Sequence, residues 1–227
     1  MTYDELFAAI QSYTENQFPE TYLADGSAVS TTTQINTFIT QAEQRIFNTV
    51  QFPSLRKNVT GITTLGNKYL SCPNDFLAAY SLAVIDGGEY EFLLNKDVNF
   101  IRQAYPTAGD TGTPKYYALF GPQSNDANEL SMILGPTPDA VYPVELHYYY
   151  YPTSIVDAGT SWLGDNFDSV LLYGSLVEAY TYMKGEQDMM GLYNQKYQEA
   201  LGLAKRLGDG MERQDAYRSG QYRQKVT

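Results

Sequence analysis

The chain has 227 residues, of which 43% are hydrophobic and 18% are charged, and its formal net charge is −11. This is long for one compact domain and short for two, with ample material for a core. An acidic surface repels phosphates, which argues against nucleic-acid binding. The chain contains a single cysteine, Cys72, and a single histidine, His147. It therefore cannot form an intramolecular disulfide or a zinc site made of several thiolates and imidazoles. No apolar run approaches 18 residues, so we expect no transmembrane helix.

Two helices are predicted near the N-terminus. Thr2 and Glu5 have the spacing of a capping box, and an apolar stripe runs from Tyr3 to Ile10. After a polar run, a second stripe repeats at three- and four-residue steps from Ile35 to Ile46. Pro53 and the residue before it should end this helix.

From Pro53 to about Gly159, short β-prone runs alternate with turn signals. The sequence Asp86-Gly87-Gly88 predicts a tight hairpin. A short helix is predicted from Asn95, with Pro106 just past its end. Further strands are predicted at Lys115–Phe120, Glu129–Leu134 and Tyr142–Tyr151.

The last of these strands has a strict two-residue alternation. Val144, Leu146, Tyr148 and Tyr150 alternate with Glu145, His147, Tyr149 and Tyr151. One face should therefore be buried and the other polar and aromatic. His147 is interpreted as a surface residue of the strand, because no second histidine or cysteine can join it in a metal site.

Two more helices are predicted towards the C-terminus. The third begins near Asp165 or Asn166 and is apolar around most of its circumference, as in a helix packed on two sides. A glycine in the interior of a helix, such as Gly174, costs about 1 kcal/mol of stability relative to alanine. We therefore expect a close neighbour whose packing offsets this cost. The fourth runs from about Asp188 to Leu207.

The pattern predicts an α+β fold. The two helical pairs at the chain ends should pack into one bundle, with an antiparallel β-rich module inserted between them and an extended C-terminal tail. The predicted domains are residues 1–52 and 162–207 for the two halves of the bundle, 53–161 for the β module and 208–227 for the tail.

The tail carries a repeated pair of residue types. Arg213, Arg218 and Arg223 recur every five residues, Tyr217 and Tyr222 precede the last two arginines, and every charge from Ala216 onward is basic, including Lys225. Such a repeat can place side chains in successive pockets of a partner when the peptide is extended. An ordinary disordered terminus is the alternative.

No motif for cofactor, phosphate or nucleophilic chemistry occurs in the chain, so we expect no enzyme and no cofactor. Tyrosine, by contrast, occurs 21 times against a single tryptophan. Tyrosine suits protein interfaces because it buries a ring and keeps a hydroxyl, but it is also favoured in β-strands. Both explanations stay open.

Three runs carry a resemblance to a known family: LLNKDVNFIRQAYPTAGDTGTPKYYALFG, LGPTPDAVYPVELHYYYYPTS and WLGDNFDSVLLYGSLVEAYTYMKGE. Over roughly Leu93 to Leu203 the chain resembles the head-to-tail adaptor, or connector, proteins of tailed bacteriophages. The resemblance implies a ring of twelve copies in the virion neck, between the portal protein and the next tail or nozzle component, after synthesis in the host cytoplasm.

The resemblance also assigns roles to residues. Adaptors of this kind insert a C-terminal segment into the portal, which implies portal contacts for Arg213, Tyr217, Arg218, Tyr222, Arg223 and Lys225. The run Tyr148, Tyr149, Tyr150 and Tyr151 would face a neighbouring copy or the tail. DNA would pass through the lumen without being bound in a sequence-specific way, and no membrane is involved.

Two other functions stay open at this stage. With 26 acidic residues, a carboxylate pair of a virion-associated peptidoglycan hydrolase is compatible with the sequence. A β module that presents tyrosines to carbohydrate is the other alternative.

Overall fold

The computed structural model describes residues 1–107, 109–121 and 130–219, and for residues 208–219 it describes the backbone alone. The fold is α+β, as predicted. The chain divides into two compact units. A helical unit contains Met1–Ser54 and Pro152–Thr227, and a β unit contains Leu55–Tyr151.

The elements follow one another along the chain in a helix–strand–helix order. The first are α1 Tyr3–Thr14, β1 Thr21–Tyr22, β2 Ala28–Val29, α2 Thr31–Thr49, a 3-10 turn at Pro53–Leu55, β3 Arg56–Ile62, β4 Tyr69–Ser71, β5 Ala78–Asp86, β6 Glu89–Phe92 and β7 Leu94–Asn95. The others are α3 Val98–Ala104, β8 Tyr116–Phe120, β9 Ser131–Gly135, β10 Pro143–Tyr149, α4 Ile155–Ala158, α5 Trp162–Asn166, α6 Asp168–Met183 and α7 Gln187–Ser219.

Helix α6 is the centre of the helical unit and contacts α1, α2 and α7. Its buried residues lie on several sides of the helix, as the apolar pattern predicted: Val170, Leu171, Leu172, Gly174, Ser175, Leu176 and Ala179. The predicted close neighbours of Gly174 are present, because a Cβ there would lie 3.3 Å from Ala42 Cβ and 3.3 Å from Tyr197 Cε2. A larger side chain would separate α6 from α2 and α7.

Helix α1 begins as the sequence predicts. The Thr2 hydroxyl accepts a hydrogen bond from the Glu5 amide, and the Glu5 carboxylate accepts one from the Thr2 amide. This reciprocal capping box satisfies two backbone donors that the first turn leaves unpaired. Leu6 and Ile10, one turn apart, are then directed into the core.

The β unit contains two four-stranded sheets. The strand order is β3-β10-β5-β6 in the first sheet and β4-β9-β8-β7 in the second. The hairpin predicted at Asp86-Gly87-Gly88 joins β5 and β6. Neighbouring strands are antiparallel, as predicted for this module, with the exception of β7 and β8, which are parallel. The short α3 between β7 and β8 supplies the crossover that parallel strands require.

The core of the β unit lies between the two sheets. The first sheet contributes Leu82, Val84, Val144, Leu146 and Tyr148, and the second contributes Tyr117, Met132 and Leu134. A smaller cluster lies on the other side of the second sheet, where Ile101 of α3 packs on Ala118 and Ile133. The second sheet is therefore covered on both faces, and α3, the helix within the β unit, packs on this sheet and not on the first.

Helix α7 is longer than predicted. The sequence pattern placed an extended tail from residue 208, but the helix continues to Ser219. The loss of apolar periodicity after Gly208 was the reason for that prediction, and glycines at 208 and 210 each cost about 1 kcal/mol in a helix interior. The residues that follow are mostly good helix formers, including Met211, Glu212 and Ala216, and they continue the helix past both glycines.

Candidate interaction surfaces

The four consecutive tyrosines at the end of β10 and just after it have different environments. Tyr148 is 1% exposed and stacks on Phe76 with ring centroids 5.8 Å apart. Tyr150 is half-buried and packs against Tyr148. Tyr149 lies on the outer face of the first sheet, and Tyr151 is 37% exposed just beyond the strand. The alternation predicted for this strand is confirmed, and it removes Tyr148 from the proposed interface because the protomer itself buries the ring.

The Tyr148 hydroxyl is part of a polar network at the edge of the core. It donates to Asp75 Oδ1 at 2.8 Å, and Lys57 Nζ donates to Asp75 Oδ2 at 2.7 Å. Partial burial opposes ionisation of Asp75, but the hydrogen bonds from Lys57 and Tyr148 outweigh it and lower the pKa of this carboxyl. The hydrogen bond between Lys57 and Asp75 also raises the pKa of the Lys57 ammonium group. The network ties β3 and β10 to the loop before β5.

The outer face of the first sheet carries an aromatic and cationic cluster. The rings of Tyr80 and Tyr149 meet edge to face at 6.0 Å, and the Arg56 guanidinium lies over both, 5.2 Å and 5.8 Å from their centroids. A β-bulge at Tyr80 brings this side chain to the outer face, because β10 pairs His147 with Ser81 and Tyr148 with Ala79. Beside the cluster is a shallow groove of about 200 Å³ lined by Arg56, Lys57, Asn58, Tyr80 and His147.

His147 lies on this face, as the alternation predicted. Its Nδ1 is 3.2 Å from the Ser81 hydroxyl, and its Nε2 is 3.7 Å from a carboxylate oxygen of Glu145. Glu145 Oε1 also accepts a hydrogen bond from the side-chain Nδ2 of Asn58 at 2.5 Å. These contacts join side chains of β3, β5 and β10 across the sheet, which is the arrangement of a solvated strand surface.

The first sheet has two outermost strands, β3 and β6, and the sequence did not predict their position. All four residues of β6 are exposed, and six of the seven residues of β3 are exposed. Tyr90 and Phe92 of β6 are 54% and 64% exposed. The sequence signal was the alternation of glutamates with aromatics in β6, but which strand ends a sheet depends on strand order.

The proposed portal-binding residues lie at or beyond the end of the described chain. Arg213, Tyr217 and Arg218 are on the backbone of α7, and their side chains are outside the description. Tyr222, Arg223 and Lys225 lie outside the described residues. The structure therefore gives the backbone positions of Arg213, Tyr217 and Arg218. The contacts of the proposed portal-binding residues with the portal remain a prediction.

Within the described residues, no group of three or more histidines, cysteines and acids is placed to hold a metal ion. The helices among those residues are also too short or too polar to cross a membrane. Cys72 is buried at the end of β4.

Comparison with known proteins identifies the family. The model of the SU10 adaptor protein family matches residues 1–224, which is almost the whole chain and extends beyond the region of resemblance found in the sequence. A search of curated proteins returns no match. The match confirms the resemblance to phage head-to-tail adaptors. The chain belongs to the SU10 adaptor protein family and is an adaptor of a bacteriophage, a structural protein of the virion.

Proposed function

We propose that the protein assembles into a ring between the portal and the tail of the virion and lets the genome pass through its lumen. The observation that carries this proposal is the family match over residues 1–224. Head-to-tail adaptors of this kind form rings of twelve copies, and we propose the same number here. A head-to-tail contact between identical copies closes into a ring when its rotation divides a full turn.

The C-terminal segment is the proposed contact with the portal. Arginine and tyrosine are the residue types that most often carry binding energy at interfaces. The segment combines them in Arg213, Tyr217, Arg218, Tyr222 and Arg223, and Lys225 adds a further positive charge. This basic segment differs in sign from the chain as a whole, whose net charge is −11, so an acidic surface of the portal would attract it selectively.

The outer face of the first sheet is the proposed contact with a neighbouring copy or a tail component. Tyr149 and Tyr80 present their rings there, 6.0 Å apart, and Tyr151 is 37% exposed nearby along the chain. Exposed aromatic rings beside a cation and amide groups are typical of the centre of a protein interface. Tyr148 contributes indirectly, because its packing in the core holds the strand in place.

The acidic charge supports a passive role toward DNA. Twelve copies at −11 carry roughly −130 charges, a field that repels phosphates at short range. A ring of this charge guides DNA without binding it. We expect no retention of duplex DNA by the purified protein at physiological salt in a filter-binding assay.

The decisive experiment is the mass of the particle formed with and without the portal protein. Light scattering of the full chain mixed with assembled portal should show a complex that contains about twelve copies of the chain per portal, by the family resemblance. A complex with one or two copies per portal, or no complex, would contradict the ring. A turbidity assay on purified cell walls tests the hydrolase alternative, and we expect no clearing.

A further inference from the structure

The two outermost strands of the first sheet have complementary properties. In the order β3-β10-β5-β6, β3 has β10 as its neighbour and β6 has β5. The residues of both outer strands are exposed along nearly their whole length. An exposed outer strand presents unpaired backbone donors and acceptors that a further strand can use.

The directions of these strands suit pairing between copies. Each neighbouring pair in this sheet is antiparallel, so β3 and β6 run in opposite directions. A second copy displaced sideways in the plane of the sheet therefore brings its β3 antiparallel to β6 of the first. This contact uses a different surface on each copy, as a ring requires.

The backbone hydrogen bonds decide which residues can pair. Leu93 N donates to Leu82 O, so the odd-numbered residues of β6 bond to β5 and the groups of Tyr90 and Phe92 point away from the sheet. Tyr150 N donates to Leu55 O and Thr63 N to Tyr142 O, which makes the even-numbered residues of β3 the outward ones. An antiparallel pair between copies must therefore join even-numbered residues of both strands.

The charges select one of the registers that this rule allows. With Tyr90 opposite Asn58, Glu91 faces Lys57 and all four residues of β6 lie within β3. A shift of two residues in one direction places Glu91 opposite Val59, and the opposite shift carries Phe92 beyond the end of β3. The ammonium of Lys57 already donates to Asp75 and retains further N–H donors for a second carboxylate.

From these observations we propose that β6 of one copy pairs antiparallel with β3 of a second copy, with Tyr90 opposite Asn58, Glu91 opposite Lys57 and Glu89 opposite Val59. This interface rests on the proposed self-assembly and names the surface that performs it. A second copy is the occupant because the direction, hydrogen-bond phase and charge of each edge match the other edge of the same protein. Since sheets twist, successive copies are also rotated relative to one another.

Disulfide trapping tests the register directly. In the proposed pairing Glu89 and Val59 form a non-hydrogen-bonded pair, with Cα atoms about 4.5 Å apart, within the range that a disulfide spans. Within one copy β3 and β6 are three strand spacings apart, about 14 Å, which is too far for a disulfide. The full chain carrying both Val59→Cys and Glu89→Cys should therefore form covalent multimers on mild oxidation.

A matched pair of variants separates this register from its neighbours. Val59→Cys with Glu91→Cys tests the register shifted by two residues and should give few multimers. Each single variant measures the background from the buried Cys72. Thermal unfolding under reducing conditions verifies that each variant is folded. Equal trapping in both double variants, or trapping in neither, would overturn the inference.

A charge reversal gives an independent readout. Glu91→Lys should weaken self-association about three- to tenfold, because like charges directly opposite across strands repel. Glu20→Lys makes the same charge change at an exposed residue of the helical unit and should have no such effect. If the particle formed with the portal contains many copies but Glu91→Lys and Glu20→Lys self-associate equally well, the strand pairing is wrong and the proposed ring is unaffected. If no multimer forms under any condition, both proposals fail.

Discussion

At the scale of single residues, Glu43 illustrates how a charge is retained inside the helical unit. It is 2% exposed, and its carboxylate accepts a hydrogen bond from the Ile155 amide at 3.0 Å. Burial raises the pKa of this carboxyl, although hydrogen bonds from Ile155 and Ser154 oppose the rise. The contact caps the start of α4 and holds the chain on its return from the β unit against α2.

Substitutions of Glu43 should separate its charge from its hydrogen bond. Glu43→Gln keeps an acceptor for Ile155 and removes the buried charge, so its unfolding free energy at pH 7 should equal or exceed that of the wild type. Glu43→Ala leaves the buried amide unpaired and should lose about 1–3 kcal/mol. Chemical denaturation monitored by circular dichroism measures both values.

The pH dependence provides a second test of Glu43. A carboxyl whose pKa is raised in the folded state binds protons more readily there, so its contribution to stability is complete below the unfolded pKa, near 4.5, and is lost as pH rises through the folded value. The wild type should lose stability over that interval relative to Glu43→Gln. A relative gain would contradict the assignment.

At the scale of elements, close packing at Gly174 sets the distance between α6 and its neighbours α2 and α7. The added side chain would meet Ala42 and Tyr197 at 3.3 Å, which is tighter than ordinary contact. Gly202, on α7, has no atom within 4 Å of an added Cβ among the described residues. Gly174 is therefore needed for the close approach of α6 to its neighbours, whereas Gly202 is not needed for any close contact among the described residues.

Substitution at these glycines should act in opposite directions. Gly174→Val overpacks the contact and should cost about 1–3 kcal/mol of unfolding free energy. Gly202→Ala improves helix propensity without a clash and should gain about 0.5–1 kcal/mol. Thermal or denaturant unfolding measures both, and a Gly174→Val variant as stable as wild type would show that α6 and α7 are not packed as described.

In the β unit, the Lys57–Asp75–Tyr148 network connects β3 and β10 to the loop before β5. Because the pKa of Asp75 is lowered in the folded protein, its ionised form contributes stability that is present above the unfolded value of 3.8 and is lost as pH falls through the folded value. Asp75→Asn should therefore lose less stability than the wild type on acidification below about pH 4. Acid titration of both proteins, followed by circular dichroism, gives the comparison.

At the scale of the whole molecule, the chain combines an acidic body with a basic end. The buried residues described in α7 extend to Ala204, and the segment from residue 208 onward contains the proposed portal contacts. Stability and partner binding should therefore be carried by different parts of the chain. This separation is useful for an adaptor, because the binding segment can change without affecting the fold.

Removal of residues 208–227 should leave the melting temperature unchanged within about 2 °C, because the described core does not include them. The same truncation should abolish binding to assembled portal in a sedimentation assay. A matched control replaces Arg218, Tyr222 and Arg223 by alanine in the full-length chain. Wild-type portal affinity in both variants would rule out this segment as the contact.

The sequence was enough to predict those features that depend only on residues close together along the chain. The capping box at Thr2, the hairpin at Asp86-Gly87-Gly88 and the alternation through Val144 and Tyr148 are confirmed, because each depends on residues only a few positions apart. The α+β class could also be predicted from the order of helical and β-prone segments, and the adaptor family from three runs between Leu93 and Leu203.

Tertiary structure alone decided which strands meet and which edges stay open. The division into two sheets, the parallel pair β7 and β8, and the outer positions of β3 and β6 follow from distant segments that compete to bury their apolar faces. The alternation in the sequence separated Tyr148 from Tyr149, and the second sheet buries the face that carries Tyr148. Composition and spacing determine the tyrosine-rich strand and its two faces. Strand order determines which strand edges another protein can touch, because an edge stays open only where no further strand pairs with it.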